Sequence, residues 1–321
     1  MNHHYYYVIL GSNWDLYKQS YSDIYSTNEA CYISFEVVKA SLIRHLHHSK
    51  RINSFVHLPY KNIWNYCYFK NPFPNNRPLC FVFTGHWISL NEETHYINYL
   101  KRKYPNAKFV CFLQDLYKFF NNKKLFEEFD LKLSFDQGDA EKYGFIYHPL
   151  VFSEYRGEIK NMPQSDVYFL GKAKDRLQDI IRTYEILKEE NLNIDFHLVG
   201  VPFEKQVYSD EIHYIDKMSY FDNLQHLIHT TCVLEIMQGG GLGYTQRGLE
   251  ILGMNKKLLT NNQMVHTEPY FNPKFISQFD KPENIDRDFL RHLKDDDKVD
   301  YHYKDKISPL ELLDFIDKKL S

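Results

Sequence analysis

Apolar residues along this chain recur in two rhythms that take turns. Short unbroken runs, YYYVILG (5–11), LCFVFTG (79–85) and KFVCFLQD (108–115), have the length and content of buried strands. After the first of them, SFEVVKASLIRHLHHSK (34–50) spaces Phe35, Val38, Leu42 and Leu46 three or four apart, the stripe of an amphipathic helix. A helix is expected over 91–103 and a short helical stretch near 122–129. LKLSFD (131–136) and GFIYHPL (144–150) read as shorter strands on either side of a helical turn at GDAEKY. The pattern lapses in EYRGEIKNMPQS (154–165), a linker, and then restarts. DVYFLG (166–171), NIDFHLVG (193–200), IHYID (212–216), CVLEIM (232–237) and KLLTNN (257–262) are the later strands. DRLQDIIRTYEILKEE (175–190), SYFDNLQHLIHTT (219–231) and about 245–253 are helices among them. SPLELLDFIDKKL (308–320) closes the chain as a helix, with Ser308 as N-cap and Pro309 in the first turn.

Strands alternating with helices make parallel sheets covered on both faces. Two such series joined by a linker predict an α/β protein of two Rossmann-like domains whose sheets face each other across a cleft. The expected domains are 1–155 and 165–305, with a carboxy-terminal helix, 306–321, crossing back to the first. Sheets of this kind bind ligands at the carboxyl ends of their strands. Chemistry is therefore expected just after the strands.

A hydrophobic content of 43% is enough for real cores. Runs such as LCFVF are too short to span a bilayer, and the start MNHHYYYVILG lacks the features of a secretory signal. The five cysteines are odd in number, scattered, and without zinc spacing, which fits a reduced cytoplasmic protein. Charge is uneven. Residues 1–110 hold 12 Lys and Arg against 6 Asp and Glu, while the remainder is acidic. The basic face of helix 34–51, with Lys39, Arg44, His45, His47, His48, Lys50 and Arg51, suggests contact with the anionic inner face of the cell membrane. A packed surface helix is the plainer alternative. No nucleic-acid partner is expected.

The densest signal is QGGGLGYTQRGLE (238–250), which follows the strand CVLEIM. Gly239, Gly240, Gly241 and Gly243 would let a bulky ligand approach the backbone. The helix beyond offers unpaired N–H groups to a diphosphate. Thr245 could cap that helix or donate to a phosphate. Arg247 in its first turn can neutralise anionic oxygens, and Glu250 can accept hydrogen bonds from the vicinal hydroxyls of a ribose. The competing reading is a flexible turn with an intrahelical Arg247–Glu250 pair. Gly171 and Lys172, after the first strand of the same half, place a second cation at a neighbouring sheet edge.

These residues resemble a family. A strand ending in G-K, a strand closing on H-L-V-G, the glycine loop, a T-x-R-x-x-E helix and K-L-L-T-N look like the carboxy-terminal half of GT-B glycosyltransferases. The bacterial enzymes that build capsule, exopolysaccharide or lipopolysaccharide are the most similar. The likeness covers roughly 130–265, including SFDQGDAEKYGF. It implies that Glu250 holds the ribose, that Lys172 and Arg247 hold the diphosphate, and that Thr245 and the loop amides add hydrogen bonds. Uridine is the base that family frequency implies. Retaining members often carry a second glutamate eight positions before the ribose glutamate. Leu242 stands there and Glu235 is at the wrong spacing, so inversion is expected.

An inverting transfer needs a general base. Asp115, His86 and Asp136, each just past an amino-terminal strand, are the candidates, the first two foremost. Gly11, Ser12 and Asp136 are placed on the acceptor side. No metal and no cofactor are expected, since KDDDK (294–298) reads as a solvated charge run and HLHH (45–48) pairs with no carboxylate. The competing functions are a nucleotide-sugar epimerase of the same fold and a non-catalytic glycan-binding subunit. A dinucleotide oxidoreductase is disfavoured because the first strand ends in GSNWD without G-x-G-x-x-G.

Overall fold

A computed structural model describes residues 3–34, 46–47, 49–53, 55–56, 58–60, 73–74, 76–90, 95–237, 245–295 and 298–321. The chain divides into two compact units, Met1–Val151 with Ser308–Ser321, and Phe152–Ile307.

The first unit holds six parallel strands, β1 (Tyr6–Gly11), β2 (Ala30–Ser34), β3 (Leu79–Thr84), β4 (Lys108–Leu113), β5 (Leu131–Ser134) and β6 (Ile146–Tyr147). Their order is β2-β1-β3-β4-β5-β6. Residues on β3 are buried throughout, which is why its sequence shows an apolar run without alternation. Odd and even positions feed two different cores. Val8, Leu10, Phe81 and Phe83 pack with Trp87 and Leu100. Tyr7, Ile9, Cys80 and Val82 pack with Leu312, Leu313 and Ile316 of the helix Pro309–Leu320. Ser308 caps that helix by accepting from the Leu310 amide at 3.2 Å. The Tyr7 hydroxyl donates to Asp317 at 2.8 Å.

Three elements in 12–34 have no counterpart among the expected ones: a short helix, Asp15–Ser20, a 3-10 helix, Ser22–Ser26, and β2. β2 is an edge strand, half-buried at alternate positions, so ACYIS makes no apolar run. The expected strand at 144–150 shrinks to two residues. Most of the amphipathic helix expected at 34–50 (35–45 and 48), and with it Lys39, Arg44, His45 and His48, lies outside the described residues.

The second unit holds β7 (Ser165–Lys172), β8 (Ile194–Val199), β9 (His213–Ile215), β10 (Thr230–Glu235), β11 (Lys257–Thr260) and β12 (Ile276–Gln278). All pairings are parallel, in the order β12-β11-β10-β7-β8-β9. One face carries Val167, Phe169, Phe196, Leu198, Cys232 and Leu234, packed with the helix Leu177–Glu189 through Ile180, Tyr184 and Leu187. The alternate positions, including Tyr168, Asp195, His197 and Glu235, belong to the opposite face. The helices Tyr220–Ile228 and Gln246–Met254 pack against β10, and the first of them also against β7. In each sheet the direction of winding reverses once, between β1 and β3 and between β7 and β10. Such reversals open a crevice at the carboxyl ends of the two strands concerned.

Candidate donor site

In the second unit the reversal brings the end of β7 beside the end of β10. A cavity of about 300 Å³ lies there, with Phe169, Leu170, Arg176, Glu235, Thr245 and Arg247 in its wall. Residues 238–244, and with them Gly239, Gly240, Gly241 and Gly243, lie outside the described residues.

Thr245 is the N-cap of the helix Gln246–Met254, its Oγ1 accepting from the Gly248 amide at 3.1 Å. The same hydroxyl donates to the buried carboxylate of Glu235, whose other oxygen accepts from Thr260 Oγ1 at 2.6 Å. Glu235 thus ties the ends of β10 and β11 to the start of the helix. Of the two roles open to Thr245 in the sequence, the structure shows the cap.

Arg247 extends from the first turn. Its Nη1 donates to Glu250 Oε2 at 2.6 Å and to Asn223 Oδ1 at 3.2 Å, and its Nη2 to the Leu170 carbonyl at 2.8 Å. The guanidinium also lies over the Tyr168 ring, 5.6 Å from its centroid. Glu250 is 1% exposed, and its Oε1 accepts from the Tyr220 hydroxyl at 2.9 Å and from Asn223 Nδ2 at 3.3 Å. Burial works against the charge on Arg247, but Glu250, Tyr168 and Tyr220 outweigh it and hold the guanidinium above its ordinary range. The pair is therefore formed, as the competing sequence reading had it, though buried rather than on a solvated helix face.

Arg176 escaped the sequence reading. It ends the single turn Lys174–Arg176 just past β7, and its Nε and Nη2 donate to the Lys172 carbonyl at 3.1 and 2.9 Å. Its Nη1 donates to the Ile236 carbonyl across the reversal. Burial, the largest influence, and then Arg247 pull its pKa down, against Asp175 and Glu235. Two guanidiniums thus repel each other across one cavity. Its signal in the sequence was proximity alone: an arginine five positions beyond Gly171 in the same loop. A Cβ at Gly171 would stand 2.9 Å from Arg176 Nη2 and 3.0 Å from the Phe169 ring, so a side chain there would push the guanidinium aside. Lys172 is the exposed last residue of β7.

In the first unit the candidates also gather at carboxyl ends. Gly11 ends β1 and Ser12 follows it, His86 is the second residue of the helix Gly85–Leu90 after β3, Asp115 is exposed after β4, and Asp136 follows β5. Asp136 is the N-cap of the helix Gln137–Tyr143, accepting from the Asp139 amide at 2.7 Å. Gly11 is closely packed within its own unit. The space above it is filled by Tyr32, whose ring atoms would lie within 2.4 Å of a Cβ and whose hydroxyl donates to the Ser12 carbonyl at 2.7 Å. The close approach that requires glycine is internal. Two buried polar atoms near these ends, Thr84 Oγ1 and Gln114 Oε1, have no hydrogen-bond partner among the described residues.

No family model matches the sequence, and no curated protein matches it. Solved structures do. The chain is similar to an alpha-glucosyltransferase in complex with UDP-glucose and DNA containing an abasic site, with a TM-score of 0.55 and 10% identity over 96% of this chain and 94% of that one. It is similar to a Listeria monocytogenes protein described as a UDP-N-acetylglucosamine 2-epimerase, with a TM-score of 0.52 and 10% identity over 99% and 97%. A third is sucrose-phosphate synthase from Thermosynechococcus elongatus, with a TM-score of 0.51 and 8% identity over 98% and 99%. At such identities the likeness is one of fold. Two six-stranded parallel sheets in an α/β chain, matched end to end by these structures, are the GT-B fold.

Proposed function

We propose that this chain is a glycosyltransferase, moving a hexosyl group from a nucleotide-diphosphate donor, UDP-linked, to a glycan or lipid-linked acceptor. In this reading the product is a bacterial surface polysaccharide, the capsule or lipopolysaccharide type among them. The protein works in the cytoplasm, in peripheral contact with the inner face of the membrane. The observation that carries the reading is the pair Arg176 and Arg247 at the β7–β10 reversal, with Glu250 three residues past Arg247.

Chemically, breaking the glycosidic bond to a diphosphate puts negative charge on the leaving oxygens. Arg176, Arg247 and Lys172 would neutralise it without a metal in the transfer step. The mutual repulsion of the two guanidiniums, a cost in the free protein, is relieved when an anion sits between them. Glu250 would turn its remaining acceptor capacity toward the ribose hydroxyls. With no glutamate eight positions ahead of Glu250, the reaction inverts, and Asp115 or His86 takes the proton of the acceptor hydroxyl as its oxygen attacks.

Calorimetric titration with UDP tests this. The native chain binds, and Arg176→Ala and Glu250→Gln each weaken binding by about tenfold or more, as expected for a lost charge-assisted contact. An unchanged dissociation constant in both variants defeats the assignment. Glu250→Gln is preferred to alanine because it keeps a partner for Arg247 in a buried pair. The epimerase of the same fold keeps a second reading open. UDP released from donor without acceptor favours the epimerase, release that requires acceptor favours the transferase, and binding without release favours a glycan-binding subunit.

A further inference from the structure

We propose that Asp195, His197 and His213 form a site for a zinc-class divalent cation at the edge of the second sheet, apart from donor chemistry. No metal is expected from the sequence, neither at HLHH nor at KDDDK. The present cluster comes from residues far apart in the chain.

Asp195 and His197 are alternate residues of β8, so the pleat sets both on one face while Phe196 and Leu198 enter the apolar core on the other. His213 begins β9, paired in register with His197. One donor atom from each of the three residues lies within 4.8 Å of the others. Ligand atoms on a tetrahedral zinc stand about 3.4 Å apart, so the widest pair closes by roughly 1.4 Å, which a side-chain rotation supplies. His213 is exposed on a three-residue edge strand, its ring stacked on that of His197 with centroids 4.7 Å apart.

The surroundings are those of a supported ligand set. His197 Nε2 and Asp195 Oδ1 are 2.7 Å apart, and His226 Nδ1 lies 2.6 Å from Asp195 Oδ2. His226 is itself stacked on Tyr168, ring centroids 5.3 Å apart. A carboxylate held from behind by a histidine is the second layer that orients a metal ligand. His197 is 7% exposed, and its Nε2 already faces Asp195 Oδ1, the two atoms that a shared cation would take. Two imidazoles and one carboxylate select zinc, nickel or copper over magnesium or calcium. Bound there, the ion would clamp the edge strand β9 to β8.

The test uses the full chain after chelator treatment and dialysis. Zn²⁺ affinity is read by competition with a chromophoric chelator, Co²⁺ geometry by its d–d absorption, and stability by Tm with and without one equivalent of Zn²⁺. The native chain should bind one equivalent, give the intense Co²⁺ bands of a tetrahedral site, and gain Tm. His213→Ala, at an exposed position that leaves the fold in place, should lose tenfold or more in affinity together with the Tm gain. His226→Gln should keep the stoichiometry and lose less. Equal behaviour of the native chain and His213→Ala overturns the site, whether both bind Zn²⁺ through other histidines or neither binds it. The cluster is then a hydrogen-bonded support only.

Discussion

Two half-buried cations of the second unit meet opposite fates. Arg247, with its side chain 16% exposed, keeps its charge because Glu250 stands beside it. Lys256 has only the carbonyls of Ile228 and Thr230, each at 2.7 Å, and burial lowers its pKa from 10.5 to about 8. Dipoles without a counter-charge do not repay the desolvation of an ammonium. The unfolded chain keeps this proton up to about pH 10.5 and the folded one only to about pH 8, so between those values the unfolded state binds more protons. The Lys256 contribution to stability therefore rises with pH across that window. Urea unfolding at points along it should show the rise in the native chain, and Lys256→Met should remove this component. Equal slopes in both proteins would contradict it.

At the scale of elements, the ends of strands carry the design. β7 and β10 are apolar in their middles and carry charge at their exits, where Lys172 and Glu235 end them and Arg176 follows β7. Gly171 is the one position on β7 where backbone economy serves a side chain, since Arg176 occupies the space a Cβ would need. Gly171→Val should displace the guanidinium by about an ångström and cost roughly tenfold or more in kcat/KM. Stability should change little, because the atom displaced is the end of a flexible side chain. Steady-state kinetics beside thermal unfolding checks both halves, and full activity in the variant would refute the placement of Arg176. Thr245 is legible in the sequence as a cap because a threonine before a helix has few other local uses. Its bond to Glu235 was not, because it depends on β10 and the helix meeting.

At the scale of the molecule, each unit is a parallel sheet with its own cores, and the last helix completes the first unit although 156 residues of the other unit precede it. Leu312, Leu313 and Ile316 are fully buried against β1, β3 and their neighbours. Leu313→Ala should destabilise the protein by about 2–5 kcal/mol, the cost of a core cavity. Denaturant unfolding would measure it, and a loss under about 1 kcal/mol would show that this face is not held by the helix.

Most strands and longer helices and the carboxyl-end location of the candidates follow from sequence, because apolar period and turn residues are local properties. So does the pair of parallel-sheet units, through the alternation of strand and helix in two series, while the GT-B class came from the resemblance over roughly 130–265. What only the tertiary structure decided are the meetings between distant residues. Arg176 reaches Ile236, Tyr220 and Asn223 enclose Glu250, Tyr32 fills the space over Gly11, and His213 pairs with His197. Each depends on which strands become neighbours when the sheet winds, and that choice is made by the burial of whole faces rather than by any short stretch of chain.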